Sequence, residues 1–218
     1  MLKGFSFGGF LSAGGGSVDD ELLLMNSYSL VKDVVKELQL NVSYTSTDFV
    51  KKTDYYGKTP IQLVFSDSLA SSFLKNKISF KLTPAGTGKI KIIAKQGWTK
   101  LSEVTVSQFP YELKLDDGTF RFETTPHFSF NTFKNLRINF SGYDWTTESF
   151  LQSLVIKIAE KKSNGISLAI QETNVQRGKD FLNKIIALYN DRGIDQKNIS
   201  AQRTASFLED RIALNSKE

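Results

Sequence analysis

The chain has 218 residues, 40% of them hydrophobic and 12% aromatic, enough for one large domain or two small ones around a real core. It contains no cysteine, which excludes both a disulfide framework and a thiolate metal site. Its 28 basic and 23 acidic residues give a net charge of +5, which favours soft contacts with anions. The basic residues are dispersed, with no stripe of the kind that marks a dedicated nucleic-acid binder, so no nucleic-acid partner is expected.

Residues 1–16 hold six glycines and no periodicity, and are expected to form a flexible lead-in. Gly4-Phe5-Ser6-Phe7-Gly8 matches a nucleophile elbow in letters only, because no strand precedes it and glycines follow. From Ser17 the pattern turns helical. Ser17 offers a cap and Asp19, Asp20 and Glu21 face the positive end of the helix. Asn26-Ser27 predicts a break. A second helix over about Ser29 to Leu38 places Leu30, Val31, Val34, Val35 and Leu38 on one face.

Strand signals begin at Asn41–Phe49 and continue at Ile61–Phe65, after the turn Tyr55-Tyr56-Gly57-Lys58-Thr59-Pro60. They recur at Ile78–Leu82, Lys89–Ala94, Leu101–Val106, Tyr111–Leu115, Thr119–Glu123 and Leu136–Phe140. This middle third reads as a run of antiparallel hairpins, with Asp116-Asp117-Gly118 as one tight turn. Gly86-Thr87-Gly88-Lys89 looks like part of a phosphate-binding loop. That motif needs Gly at position 83 and Ser or Thr at 90, where Thr and Ile stand, so a hairpin turn is expected instead. Asp116 and Asp117 at a turn tip are expected to be solvated and not an acid/base pair. His127, the single histidine, has no partner at ligand spacing. No catalytic, cofactor-binding or metal residue is therefore assigned, and no cofactor is expected.

A short helix near Thr147–Leu154 is expected to be capped by Asp144 or Thr146. Val155–Ala159 and Ile166–Ile170 then form a hairpin, for which a three-residue Ser163-Asn164-Gly165 loop sets Ile158 across from Ile170. The last quarter is predicted to be one long helix. Thr173-Asn174-Val175-Gln176 offers a capping box, and Asp180 and Lys184 stand one turn apart. Apolar residues recur at helical spacing at Phe181, Leu182, Ile185, Ile186, Leu188 and Tyr189, then at Ile199, Ala205, Leu208 and Ile212, without a sustained heptad. Gly193 after Asn190-Asp191 makes a kink the alternative. About 40 helical residues extend roughly 60 Å, against roughly 45 Å for a compact chain of this size. Part of the helix should project and need a partner. It runs to Glu218 without a stop signal, so the chain reads as cut from something longer.

Lys161-Lys162-Ser163-Asn164-Gly165-Ile166-Ser167-Leu168-Ala169-Ile170, followed by Asn174-Val175-Gln176-Arg177-Gly178-Lys179-Asp180-Phe181-Leu182-Asn183, resembles the bacterial polysaccharide co-polymerases. These are the Wzz-type chain-length determinants, including forms fused to a cytoplasmic tyrosine autokinase. Tyr189-Asn190, Lys197-Asn198, Thr204, Phe207-Leu208 and Asp210-Arg211 continue the likeness. So do Ser17-Val18-Asp19-Asp20-Glu21 and Ser27-Tyr28-Ser29-Leu30, then Tyr55-Tyr56-Gly57-Lys58-Thr59-Pro60-Ile61. The resemblance covers about Ser17 to Glu218 and is closest to Bacteroidetes forms. It departs at Val175, where many members have Pro, and at Glu172, where many have Asp.

The expected fold is α+β: a mixed or antiparallel sheet with N-terminal helices and a long C-terminal helix. Residues 17–171 would form an α/β base with a strand-rich section over about 73–142, and 172–218 a helix packed on it. The resemblance implies a non-enzymatic scaffold on the periplasmic face of the bacterial inner membrane, held by flanking spans absent from this chain. It implies homo-oligomers that meet the polysaccharide polymerase, the glycan or both, and regulate the length of capsule, exopolysaccharide or O-antigen. Trp98, Trp145 and Tyr143 are candidate sugar-stacking groups. The alternative is a generic oligomerising interaction domain of a membrane protein, with no direct glycan role. An enzyme acting on polysaccharide would need two carboxylates facing across a cleft, and no acidic pair is placed for that.

Overall fold

The structure, a computed structural model, describes residues 18–46, 53–73, 77–159 and 165–215. The expected lead-in over 1–16, the Ser17 cap and the Ser163-Asn164 part of the last hairpin loop lie outside those residues. The described residues open with two helices, α1 (Val18–Met25) and α2 (Tyr28–Glu37). Ser27 stops the first and caps the second: its hydroxyl accepts from Leu30 N at 3.4 Å. Leu30, Val31, Val34 and Val35 are buried as one stripe, as their spacing predicts.

Eight strands then alternate with two short helices. They are β1 (Val42–Ser46), β2 (Ile61–Val64), α3 (Asp67–Ser72), β3 (Ile78–Pro84), β4 (Ile90–Gln96), β5 (Thr99–Val106), β6 (Tyr111–Leu115), β7 (Gly118–Thr124), β8 (Leu136–Phe140) and α4 (Tyr143–Ser153). A hairpin, β9 (Leu154–Ile158) and β10 (Ile166–Ile170), leads into α5 (Val175–Asn215). Every strand pairing is antiparallel. The fold is thus α+β, with N-terminal helices and a long C-terminal helix.

The strands form a five-stranded sheet in the order β1-β8-β3-β4-β5, a three-stranded sheet β2-β7-β6, and the separate β10-β9 pair. The two larger sheets close on each other through phenylalanine. Phe80 of β3 lies 5.1 Å from Phe120 and 5.3 Å from Phe122 of β7, ring centre to ring centre, and Phe120 lies 5.1 Å from Phe140 of β8. All four are fully buried. Edge-to-face and tilted ring pairs of this kind add about 0.5–1.5 kcal/mol each beyond area burial. Period-two alternation then decides the other side: Ile78, Phe80 and Leu82 point inward while Lys81 is exposed. The five-stranded sheet therefore has one dry and one wet face.

The helices cover the end of this sandwich. α2 packs on α4 and α5, and α1 on α5 and β9. Tyr28 donates to Asp144 Oδ1 at 2.6 Å and Lys32 pairs with the same oxygen at 2.5 Å, latching α2 to α4. Those two hydrogen bonds, from Lys32 and then Tyr28, hold the Asp144 carboxyl below its ordinary value.

Two local expectations are corrected, one short helix is added, and the alternative of a kink falls away. α3 has no apolar periodicity to announce it, being six residues capped by Ser66, whose hydroxyl accepts from Leu69 N at 3.2 Å. The N-cap of α4 is Gly142, without a side-chain bond, and not Asp144 or Thr146. Asp144 faces α2, and the Thr146 and Thr147 hydroxyls donate back to the Gly142 and Tyr143 carbonyls at 3.0 and 2.8 Å. In the last hairpin Ile158 pairs with Ile166, not Ile170, so Ile156 and Leu154 oppose Leu168 and Ile170. The sum of paired numbers stays even, so the apolar residues share a face as argued; the connection is longer than three residues. Lastly, α5 passes through Gly193 unbroken.

Gly142 sits where α4 begins against the end of α3. A Cβ there would stand 2.0 Å from the Phe73 carbonyl oxygen. Gly142→Ala should therefore cost about 2–3 kcal/mol through forced backbone movement, read as a lower urea midpoint at unchanged slope. Gly57→Ala, at φ +70 with open space around it, should cost about 1 kcal/mol from backbone conformation alone.

Candidate assembly surface

The root of α5 is built by residues on both sides of its first turn. β10 ends at Ile170, and Gln171 N still bonds Ser153 O at 3.1 Å, so the chain leaves the hairpin in a fixed direction. Glu172 Oε1 then accepts from Thr173 N at 2.7 Å, Asn174 N at 3.2 Å and Arg177 Nη2 at 2.6 Å. Asn174, not the expected Thr173, is the cap: its Oδ1 accepts from Arg177 N at 3.1 Å. Arg177 Nη1 reaches back to Asp54 Oδ2 at 3.2 Å, and its guanidinium lies 5.9 Å from the Tyr56 ring centre. Gly178 is buried here, where a side chain would press on Ile170 and Glu172 at 3.4 Å.

Burial disfavours ionised Glu172, but the Arg177 hydrogen bond, the Asn174 N–H and the guanidinium charge outweigh it. They hold the carboxyl below its ordinary value. The pair is largely withdrawn from water, with side-chain exposures of 16% for Arg177 and 14% for Glu172, so it is a structural clamp and not a surface ion pair.

Beyond the root, Phe181 and Ile185 are fully buried and Tyr189 nearly so, one turn apart along a single stripe. Phe181 stacks on Phe150 of α4 at 4.8 Å. Lys184 pairs with Glu37 of α2 and not with Asp180, which instead accepts from Gln176 at 2.7 Å. Arg192 closes the covered section, pairing with Asp33 and donating to Ser29 Oγ at 3.1 Å.

After Arg192 the base ends and the helix does not. Residues 193–215 add about 35 Å of rod. Ile194 is 51% exposed, Ile199 49%, Leu208 53% and Ile212 68%. Six residues of this section form a seam. Ile194, Ala201 and Leu208 are seven apart, and Asn198, Ala205 and Ile212 interleave with them at alternating steps of four and three. That is the a/d pattern of a coiled coil over about two and a half heptads. Sequence periodicity alone did not single it out, because the run is short and two of its members are alanine.

The remaining sequence candidates are scattered. Asp116 and Asp117 form the turn between β6 and β7. Gly86 and Gly88, both at positive φ, make the β3–β4 turn, not a phosphate loop. The Gly4–Gly8 segment lies outside the described residues. His127 lines a cleft of about 370 Å³ with Lys58, Thr132 and Lys134, and no carboxylate lines it. Trp98 is fully exposed in the β4–β5 turn and Trp145 is 68% exposed, so both can meet a ligand. Tyr143 is only 4% exposed and packs in the core, which removes it from the stacking candidates. Among the described residues no group of three or more His, Asp or Glu could hold a metal, and no helix is long and apolar enough to cross a membrane.

No protein-family model matches the chain, and no curated protein matches it.

Arg177→Ala should lower stability by about 2–4 kcal/mol, because it strands Glu172 as a half-buried charge. The linkage has a definite sign. Glu172 is held below its ordinary 4.5 in the folded chain, so its contribution is complete above that pH and is lost as pH falls through the lower folded value. Denaturant unfolding across that range should show a steeper acid loss for the native chain than for Glu172→Gln.

Proposed function

We propose that the chain is a non-enzymatic scaffold that assembles with copies of itself through the outer half of α5. The observation that carries this reading is the apolar seam from Ile194 to Ile212 standing clear of the base. Water-exposed leucine and isoleucine at a/d spacing are stabilised by a second helix of the same pattern. A second copy of the chain presents the same seam, so a copy is the occupant that the pattern fits.

A seam of under three heptads is weak alone and becomes effective when copies are held close. Membrane spans flanking these residues in a longer protein would supply that proximity. This is the arrangement of a periplasmic domain of a Wzz-type polysaccharide co-polymerase, and we read the chain as such a domain, with the polymerase or its glycan as the further partner. The dispersed basic surface suits an acidic glycan. A generic oligomerising domain would share the helix but not the effect on glycan length.

The substitutions belong on the exposed outer section, because Ile185 further in is fully buried. In the membrane-inserted protein, Leu208→Asp with Ile212→Asp should abolish side-by-side crosslinking through α5 and change the length distribution of the surface polysaccharide. A normal distribution, with the variant inserted and the crosslinks lost, would refute the co-polymerase role. Undiminished crosslinks would refute assembly through the seam.

A further inference from the structure

The wet face of the five-stranded sheet carries cations in register. Arg137 of β8 pairs directly with Lys81 of β3, and Lys95 of β4 with Lys100 of β5. Lys91 stands two rows from Lys95 on the same face of β4. At ordinary strand spacings these five cations cover about 14 by 13 Å. Among the described residues one acid shares the face: Glu103 bonds Lys91 at 3.1 Å and Lys100 at 3.0 Å. Those two lysines hold its carboxyl below the ordinary value. Lys81, Lys95 and Arg137 are exposed and form no ion pair among the described residues.

Like charges directly across an antiparallel pair destabilise a sheet. Here the sequence places two such pairs side by side, on a face that the fold leaves open. Self-repulsion of this kind is relieved when an external anion lies over the rows. The rest of the face is hydroxyl and amide: Ser79, Thr83, Thr105 and Asn139 stand between the cations. Ile93, half-buried, is the only apolar side chain in these rows among the described residues. Bilayer binding draws on inserted apolar groups, which the face lacks; hydroxyls between ammonium groups suit a hydroxylated polyanion.

We infer that this sheet face is a docking surface for an acidic polysaccharide, lying across β8, β3, β4 and β5. The choice of a glycan as the polyanion rests on the reading proposed above; the cation register does not.

The test is a titration of the isolated chain, followed by amide NMR, with polygalacturonate, neutral dextran and phosphatidylglycerol vesicles as separate probes. Polygalacturonate should perturb β3, β4 and β8 and weaken as salt rises. The triple variant Lys81→Gln, Lys95→Gln, Arg137→Gln should weaken it about tenfold or more, while its melting temperature equals or exceeds that of the native chain because repulsion is relieved. The inference is overturned if dextran binds as well, if only vesicles bind, or if the folded triple variant binds undiminished. A Leu208→Asp chain should bind like the native one. Loss of assembly through α5 therefore leaves this result standing, and loss of binding leaves assembly untouched.

Discussion

The direction of α5 is fixed within its first turn, where one guanidinium is shared between Glu172 and Asp54. Asp54 lies 123 residues earlier in the chain, in the segment that follows β1. The clamp thus ties the end of the sandwich to the start of the helix. Desolvation opposes both charges, and only the completeness of the hydrogen bonding makes the arrangement stable. Without it, Asn174 could still cap the helix and Gln171 N could still bond Ser153 O, but no charge pair would help to set the angle at which it leaves the hairpin. The stripe of Phe181, Ile185 and Tyr189 then needs that angle in order to meet α2 and α4.

The two sheets and the helices divide the surface into unlike regions. Phenylalanine fills the space between the sheets, which leaves the outer face of the larger sheet to polar and cationic residues. The helices bury the opening of the sandwich and carry the ion pairs of α2 with α4 and α5. The outer part of α5 belongs to neither region. Its seam residues Ile194, Leu208 and Ile212 stand exposed among the described residues, whereas the sheet face carries more cations than acids. One surface is apolar and the other cationic.

Much of the fold was legible in the sequence, and for reasons that particular residues make plain. Leu30, Val34 and Leu38 on one side of a ten-residue stretch specify a helix; Ile78, Phe80 and Leu82 in alternation specify a strand. Gly57, Gly86, Gly88 and Gly118 fall at positive φ in turns, as their punctuation suggested. The failures are equally specific. Six residues, with only Leu69 and Ala70 apolar, are too few to show a period and so conceal α3. Thr173 and Asn174 are both good caps, but the Thr173 hydroxyl donates to Glu172 Oε1 at 3.1 Å and leaves the cap to Asn174. Lys184 had a suitable acid one turn away, yet Glu37 of another element took it. The site features were the least legible, since the clamp and the rows of cations come from residues distant in sequence. Register across four strands cannot be read from one strand at a time.

The uncovered length of α5 has a mechanical side. Among the described residues the ion pairs that grip the rod lie between Arg177 and Arg192, so its outer section behaves as a lever with the fulcrum at the edge of the base. Over about 35 Å, a tilt of about 10° at that fulcrum sweeps the far end through roughly 6 Å, about one helical turn. Small changes of posture in the globular part are thereby magnified into large excursions at the tip.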